Sequence, residues 1–240
     1  MNRTLLETLF PKEYHYLFDF KDYGDQTDLA MDEAAIQKRL WMIQVAEQCE
    51  FEYGLDLFAG VGYGTEIMCY HCENVIALEN NKEKYSLLCE NIEPMDSSVQ
   101  LWCQNNLKFL KEYTGFGFDY IDFDPFNNAN EQLQFLPSIF DDGLVWITSG
   151  EIQLIYRGLP GIPEFAKSTA QFYKGKKAVD WAENIYFPYI SKTYNLTLVD
   201  FYVYPTSIRS LWTREKYKHV KLEGKRYLGW FKELKRKGLF

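Results

Sequence analysis

The sequence predicts an α/β fold, in which helices cover both faces of a mostly parallel sheet. Apolar runs of strand length alternate with segments of helical period through the middle of the chain. Glycines at Gly60, Gly62 and Gly64 follow the first of these runs. A glycine loop between a strand and a helix is where α/β proteins bind nucleotide-like cofactors, because glycine lets the backbone approach a ligand closely.

The predicted elements run in a regular order. Strands are predicted at 54–58, 74–79, 99–103, 118–123 and 143–149, with helices near 64–72, 82–92, 105–113 and within 130–141, where Pro137 either starts or interrupts the helix. This alternation implies parallel strands and right-handed crossovers. After a helix near 179–193, the runs 197–205 and 207–214 predict an antiparallel pair. The result is a Rossmann-like sheet of seven strands.

Three parts of the chain surround or interrupt this core. Residues 1–50 are predicted to be an N-terminal helical or cap segment, with a helix over 29–50 and an aromatic stretch over 14–23 that is either a short strand or a cap over the cofactor. Residues 51–213 are the predicted cofactor-binding domain. The loop sequences GLPGIP and YKGKK mark an insertion near 151–178, where we expect substrate recognition.

The third part, residues 214–240, is a basic C-terminal tail. The whole chain has a net charge of −8, which is unusual for a nucleic-acid binder, but the tail has ten Lys and Arg residues against three Glu. Basic residues interleaved with aromatic ones predict a segment that contacts nucleic acid phosphates. The alternative is an amphipathic helix that packs Tyr227, Trp230 and Phe231 on the body.

Composition favours a cytoplasmic protein. No apolar run approaches the ~20 residues that cross a bilayer, and Glu7 and Pro11 interrupt the apolar N-terminus, which makes it a poor signal peptide. An odd number of cysteines predicts reduced thiols: Cys49, Cys69, Cys72, Cys89 and Cys103. Because the pair Cys69 and Cys72 has no second pair to complete a zinc site, we expect no metal and interpret both as packing residues in the helix after the glycine loop.

Polar residues follow the predicted strands where the carboxyl edge of a parallel sheet places its ligands. Glu79 ends the second strand, about 20 residues after Gly60, and is placed to accept hydrogen bonds from ribose hydroxyls. Asn105, with its neighbours Gln104 and Asn106, follows the third strand and is placed to contact an adenine edge. Asp56 lies in the first strand and either lines the cofactor site or caps the strand end.

These features resemble a class I S-adenosylmethionine (SAM)-dependent methyltransferase over roughly residues 50–150. The dinucleotide-binding fingerprint G-x-G-x-x-G/A is a weaker match, because its sixth position, counted from Gly60, is Thr65. A purely structural glycine turn is the other alternative. The resemblance implies S-adenosyl-L-methionine as cofactor. It implies contacts to the methionine part from Asp56, Gly60, Gly62 and Gly64, to the ribose from Glu79, and to the adenine from Asn105.

The fourth predicted strand ends in Asp124-Pro125-Phe126. This corner resembles the Asp/Asn-Pro-Pro-aromatic motif of amino-methyltransferases acting on bases and, more closely, the Asp-Pro-Phe of tRNA guanine-N2 methyltransferases, which also follows Ile-Asp-x. The resemblance implies that Asp124, Pro125 and Phe126 are catalytic. The residues Asn127-Asn128-Ala129 replace the Gly-Ser/Thr pair of that family, and the chain has no room for the family's second, RNA-reading domain. In the alternative interpretation, Asp124 caps the next segment and Pro125 ends the strand.

An amine acceptor suits this corner. The lone pair of an exocyclic amine is delocalised into its base, so the nitrogen needs acceptors for its N–H groups. Asp124 and a backbone carbonyl near Pro125 are placed to accept them, and Phe126 to stack on the base. A duplex base must first be flipped out. Carbon methylation is disfavoured, because no cysteine lies at the fourth strand's end.

We therefore expect a SAM-dependent methyltransferase acting on an exocyclic amine of a base in RNA, including tRNA, or in DNA. The acidic body, with a charge of −15 over residues 1–213, supports a second hypothesis, a methyltransferase for a small molecule or a protein side chain. The third hypothesis is a binding module that has the fold without turnover.

Overall fold

A computed structural model of the chain describes residues 7–8, 10–19, 33–93, 98–125, 128–150, 178–203 and 207–223. Seven strands form one sheet in the order β3-β2-β1-β4-β5-β7-β6. The strands are β1 (Phe51–Asp56), β2 (Cys72–Glu79), β3 (Ser98–Cys103), β4 (Phe118–Phe123), β5 (Phe140–Ser149), β6 (Thr197–Val203) and β7 (Ile208–Thr213). Strands β1 to β5 pair in parallel, and β7 is antiparallel to both β5 and β6. The predicted sheet of seven mostly parallel strands is confirmed.

The helices alternate with the parallel strands. A 3₁₀ helix covers Lys12–Asp19, and the α-helices are α1 (Glu33–Ala46), α2 (Tyr63–Cys69), α3 (Lys82–Ile92), α4 (Asn106–Glu112), α5 (Asn130–Leu133) and α6 (Leu136–Ile139). A last helical stretch contains α7 (Ala178–Trp181), a π-helical turn (Ala182–Tyr186) and α8 (Phe187–Tyr194). Among the described residues, no helix is both long enough and apolar enough to cross a membrane.

A small hydrophobic cluster packs α3 against Ala59 and Ala77, and two larger clusters, one on each face of the sheet, form the rest of the core. One cluster packs α1 and α2 against side chains that include Val75, Tyr120 and Trp146. The other packs α4 to α8 against the opposite side chains, including Ile76 and Ile121. Since neighbouring residues of a strand point to opposite faces, this alternation shows that β2 and β4 are buried on both sides.

Most predicted element positions agree with the structure. Helix 82–92 and strand 118–123 have the predicted bounds, and Pro137 starts α6 rather than interrupting a longer helix. The helix predicted over 64–72 ends at Cys69, and Cys72 already belongs to β2. The reason is that the carbonyl of His71 accepts a hydrogen bond from the backbone N–H of Phe51 at 2.7 Å, which draws the chain into the sheet. Both cysteines are buried in the cluster beneath α1.

The flanking parts are described only in segments. The strand alternative for the aromatic stretch is wrong from Tyr14 to Asp19, which are 3₁₀-helical, and α1 ends four residues before the predicted helix end. The insertion lies outside the described residues from 151 to 177, and the tail lies outside them from 224 onwards. Residues 214–223 pack on the body, with Tyr217 and Val220 buried.

Candidate active site at the carboxyl edge of the sheet

The glycine loop lies between β1 and α2. Gly60 has φ +59° and Gly62 has φ +105°, in the left-handed region that favours glycine. Their surroundings differ. A Cβ added to Gly60 would meet nothing within 4 Å, whereas one added to Gly62 would lie 2.9 Å from Cδ1 of Leu88. Gly62 is therefore packed against α3, and Gly60 faces open space that a ligand can fill.

Glu79 lies against this loop. Its Oε2 accepts a hydrogen bond from the Gly60 N–H at 3.0 Å, and its Oε1 accepts one from the Asn81 N–H at 2.7 Å. The adjacent pairing of β1 and β2 brings the end of β2 beside the loop. The partly exposed Glu79 carboxylate thus accepts one backbone N–H from the glycine loop and one from the residue before α3.

Asn105 and Asn106 follow β3 at the same edge. Asn105 is exposed and is the N-cap of α4, where its Oδ1 accepts a hydrogen bond from the Lys108 N–H at 3.1 Å. Asn106 turns inward, where its Nδ2 donates to the Leu57 carbonyl at 3.1 Å and its Oδ1 accepts from Gln132 at 3.0 Å. Asn106 therefore ties the glycine loop to α5, which sequence reasoning did not predict.

Asp56 is buried beneath the loop. Its Oδ2 accepts a hydrogen bond from the Thr65 hydroxyl at 2.8 Å, and its Oδ1 accepts one from the Phe58 N–H at 3.2 Å. Burial, reinforced by the negative charge of Asp122, raises the pKa of Asp56 to about 7. A Cβ on Gly64 would lie 3.3 Å from Asp56 and 3.9 Å from Asp122, so Gly64 allows the two carboxylates to approach α2.

Asp124 lies just beyond the end of β4, and its two carboxylate oxygens have different partners. Oδ1 accepts a hydrogen bond from the Thr148 hydroxyl at 2.7 Å and lies 3.3 Å from Nη1 of Arg209. Oδ2 forms an ion pair with the ammonium of Lys38, from α1. Burial alone would raise the pKa of Asp124, but Lys38 and Arg209 outweigh it and hold that pKa well below its ordinary value.

Arg209 links Asp124 to residues at the carboxyl ends of β4 and β5. The side chain is fully buried, and its Nη2 donates to Asp122 at 2.8 Å while Nη1 donates to Thr148 at 3.0 Å. The guanidinium also lies 4.8 Å from the centroid of the Trp146 ring. Asp122 is nearly as buried, and burial raises its pKa although Arg209 acts against that shift.

The structure therefore brings most of the predicted site residues to one edge. Asp56 pairs in register with Asp122, and Asp124 follows two residues later on the neighbouring strand. Glu79 lies one strand away on the other side of β1. Pro125 is partly buried beside Asp124, while Phe126 and Asn127 lie outside the described residues. Lys38 and Arg209 were not predicted.

Comparison with solved structures agrees with this architecture. Trm1 from Pyrococcus horikoshii, solved with S-adenosyl-L-methionine, superposes with a TM-score of 0.64 at 12% identity, covering 84% of this chain and 61% of Trm1. The chain has the class I methyltransferase fold. A Klebsiella pneumoniae protein proposed to be an O-methyltransferase gives a TM-score of 0.54 at 16% identity, covering 87% of this chain and 89% of that one.

Other comparisons are less extensive. Trm5b from Pyrococcus abyssi gives a TM-score of 0.50 at 16% identity, covering 76% of this chain and 49% of that one. Residues 35–150 match a family model described as Conserved hypothetical protein 95. No curated protein sequence matches the chain. The match over 35–150 contains the glycine loop, Glu79 and Asp124, whereas β6, β7 and Arg209 lie beyond it.

The two glycines give a test of where a ligand lies. We expect Gly60→Ala to weaken the binding of S-adenosyl-L-homocysteine at least about tenfold, because its Cβ enters the open space, while stability falls by only about 1–2 kcal/mol. Gly62→Ala should lower stability by about 1–3 kcal/mol and weaken the affinity of the folded protein less than Gly60→Ala does. Calorimetric binding and denaturant unfolding measure the two effects. Unchanged affinity in Gly60→Ala would place the ligand elsewhere.

The buried Asp56 predicts a pH-dependent stability. A carboxyl whose folded pKa is raised from 3.8 to about 7 stabilises the fold fully only below its unfolded pKa and loses that contribution as the pH rises through 7. Asp56→Asn removes this loss. The unfolding free energy of the variant minus that of the wild type should therefore become more positive by about 1–3 kcal/mol from pH 5 to pH 8. A difference that stays constant with pH would show that Asp56 titrates normally.

Proposed function

We propose that this protein is a SAM-dependent methyltransferase that methylates an exocyclic amine of a nucleic acid base, in RNA, with tRNA as the first candidate, or in DNA. The observation that supports this best is the Asp124 corner. It places an ionised carboxylate, fixed through one oxygen by Thr148 and Arg209, at the same sheet edge as the glycine loop.

The cofactor part of the proposal is supported by the loop geometry. The open space at Gly60 gives a ligand room against bare backbone, and the Glu79 carboxylate beside it is suited to ribose hydroxyls. We assign Asp56, Gly60, Gly62 and Gly64 to the methionine part and Asn105 to the adenine. When bound, S-adenosyl-L-methionine would supply its methyl group as an electrophile.

The acceptor part rests on what Asp124 and Pro125 offer to an amine. Asp124 and the Pro125 carbonyl can accept the two N–H bonds of a base amine, which frees the nitrogen lone pair to attack. As the N–C bond forms and the methyl–sulfur bond breaks, the nitrogen releases one proton. Since the pKa of Asp124 is low, the carboxylate passes this proton on to solvent rather than keeping it. Phe126 would stack on the base.

The partner proposal concerns the basic tail. Gln48 exchanges hydrogen bonds with the backbone of Lys221 at 2.9 and 3.1 Å, and Gln44 does the same with Glu223 at 2.8 and 3.2 Å. From Lys221 to Glu223 the chain therefore runs alongside the second half of α1 in the direction of Lys38, which contacts Asp124. Residues 224–240, with six Lys and Arg against one Glu, follow from there. This direction supports a role for the tail in bringing phosphates to the corner.

A cytoplasmic location belongs to the same proposal. All five cysteines are free thiols, and four of them are at least partly buried. Reduced thiols persist in the cytosol. The nucleic acids that the proposed reaction needs are also found there.

Replacing Asp124 tests the catalytic assignment. We expect Asp124→Asn and Asp124→Ala to lower methyl transfer at least about 100-fold while S-adenosyl-L-homocysteine still binds, because the acceptor nitrogen loses its charged partner. The assay measures radiolabelled methyl incorporation into total tRNA, ribosomal RNA, genomic DNA and a metabolite extract, with the methylated base identified after hydrolysis.

Asp141→Asn is the matched control for this test, since it removes one carboxylate at the amino end of β5, away from the corner. It should retain full activity. Undiminished turnover in both Asp124 variants would remove Asp124 from the mechanism. Product in the metabolite extract alone would favour a small-molecule acceptor, and product in no pool from the wild type would favour a binding module.

The tail can be tested through its salt dependence. Ending the chain after Glu223 should weaken the binding of total tRNA at least about tenfold at low salt and flatten the slope of log affinity against log salt, while S-adenosyl-L-homocysteine binds normally. A second variant retains the aromatic residues and neutralises four charges, as Lys225→Gln, Arg226→Gln, Lys235→Gln and Arg236→Gln. If this variant keeps the wild-type salt slope, the tail does not contact phosphates.

A further inference from the structure

The two oxygens of Asp124 differ in how firmly they are held. The partners of Oδ1 belong to the sheet: Thr148 lies in β5 and Arg209 in β7, with side chains that are 6% and 0% exposed. The partner of Oδ2 is Lys38, whose side chain is 25% exposed and reaches across from α1. One oxygen is therefore fixed by rigid, buried groups, and the other by the end of a long, flexible side chain.

These environments also decide from where an acceptor can approach. Thr148 and Arg209 close off the side of Oδ1, because neither is accessible to a ligand. The Asp124 side chain retains 21% exposure, and the Lys38 ammonium lies on its other oxygen. Oδ2 is therefore the oxygen open to an acceptor, and an amine that approaches it competes with the Lys38 ammonium for that oxygen.

We propose that Lys38 is a positioning residue that occupies the acceptor's place: its ammonium holds Oδ2 of Asp124 in the free protein, and the N–H of the acceptor amine displaces it. This inference rests on the proposed function and specifies how its site is prepared. Both groups are N–H donors, so one can replace the other without leaving the carboxylate unpaired.

The exchange has a consequence for specificity. A neutral base amine is a weaker partner for a carboxylate than an ammonium, because charge-assisted hydrogen bonds are roughly twice as strong as neutral ones. The exchange is therefore unfavourable unless other contacts of the same acceptor compensate, such as base stacking and phosphate contacts. Small free amines lack those contacts. Lys38 thus favours an acceptor presented by a larger molecule.

Lys38 also affects how Asp124 titrates. The groups that face Asp124 are Lys38 from α1, Arg209 from β7, Thr148 from β5, and the carboxyls of Asp122 and Asp56 from β4 and β1. Removing Lys38 leaves one of the two cations and both acidic neighbours. The carboxyl of Asp124 should then protonate at a higher pH than in the wild type.

The test compares Lys38→Met and Lys38→Arg with the wild type in the full-length protein. Methyl transfer from S-adenosyl-L-methionine is measured at pH 8 against total tRNA, or against the pool in which the wild type gives product. Lys111→Met is the control, because it removes a cation from the exposed end of α4. At pH 8 we expect Lys38→Met to lower KM for the acceptor about 3- to 10-fold with little change in kcat.

The Lys38→Arg variant separates this role from a purely structural one. Lys38→Arg should raise KM, since a guanidinium pairs with a carboxylate through two hydrogen bonds and is harder to displace. Lys111→Met should match the wild type in every parameter. A structural role would lower kcat and thermal stability together and would not lower KM for the acceptor.

Each remaining outcome contradicts the inference. A raised KM in Lys38→Met would show that Lys38 contacts the acceptor directly. Unchanged kinetics would show that the acceptor does not displace the Lys38 ammonium from Asp124. In both cases the wild type still transfers methyl groups, so the proposed function stands while the inference fails. If the wild type methylates none of the four pools, the proposed function fails and the inference fails with it.

Discussion

A buried guanidinium organises the carboxyl edge of this sheet. Arg209 has no exposed surface, and placing a charge there is unfavourable unless it is paired and hydrogen-bonded. Its Nη2 is paired with Asp122, and its Nη1 is paired with Thr148 and Asp124. Because β7 is antiparallel to β5, Arg209 lies directly across from Thr148. The antiparallel closing strand therefore supplies the cation that positions the residue following a parallel strand.

The charges at this edge come close to balance. Three carboxyls, from Asp56, Asp122 and Asp124, lie at this edge together with two cations, Arg209 and Lys38. The two cations pair with Asp122 and Asp124. The raised pKa of Asp56, about 7, means that one proton near neutral pH completes the balance. Asp124 has a low pKa because two cations lie beside it, so it stays ionised. Among the described residues, Asp56 has no cation beside it, and it takes the proton. Different environments thus give neighbouring acids different roles.

Sequence reasoning found the part of the site that local geometry determines. The glycine loop, Glu79 and Asp124 all follow strand ends, and a parallel sheet brings its carboxyl ends to one edge whatever the intervening helices contain. The antiparallel pair was predictable from two adjacent strand-like runs, 197–205 and 207–214, whereas the order of the strands was not predicted. The early end of α2 was not, because it depends on a hydrogen bond between Phe51 and His71, which belong to different elements.

Local sequence patterns could not predict the partners of Asp124. Lys38 is 86 residues from Asp124 in sequence, and Arg209 is 87 residues from Asp122. Arg209 did leave a signal, since it is a charge within the otherwise apolar run SIRSLW, and a buried arginine requires a carboxylate. Lys38 left none, because a lysine between Gln37 and Arg39 on a helix is typical of a solvated face.

Helix α1 connects the two parts of the proposed function. Its Lys38 forms an ion pair with Asp124. Six residues later, Gln44 hydrogen-bonds with the N–H and the carbonyl of Glu223, and Trp41 Nε1 donates to the same carbonyl at 3.1 Å. Its apolar face is buried against the sheet, so the helix cannot shift without disturbing Trp146, on which Arg209 lies. A nucleic acid bound by the residues after Glu223 would therefore act on a helix already coupled to both cations of the corner. Among these contacts, the one between Lys38 and Asp124 is partly exposed, whereas those of Arg209 and Trp146 are buried. In the proposed exchange, the acceptor amine replaces the Lys38 ammonium while the buried contacts stay in place.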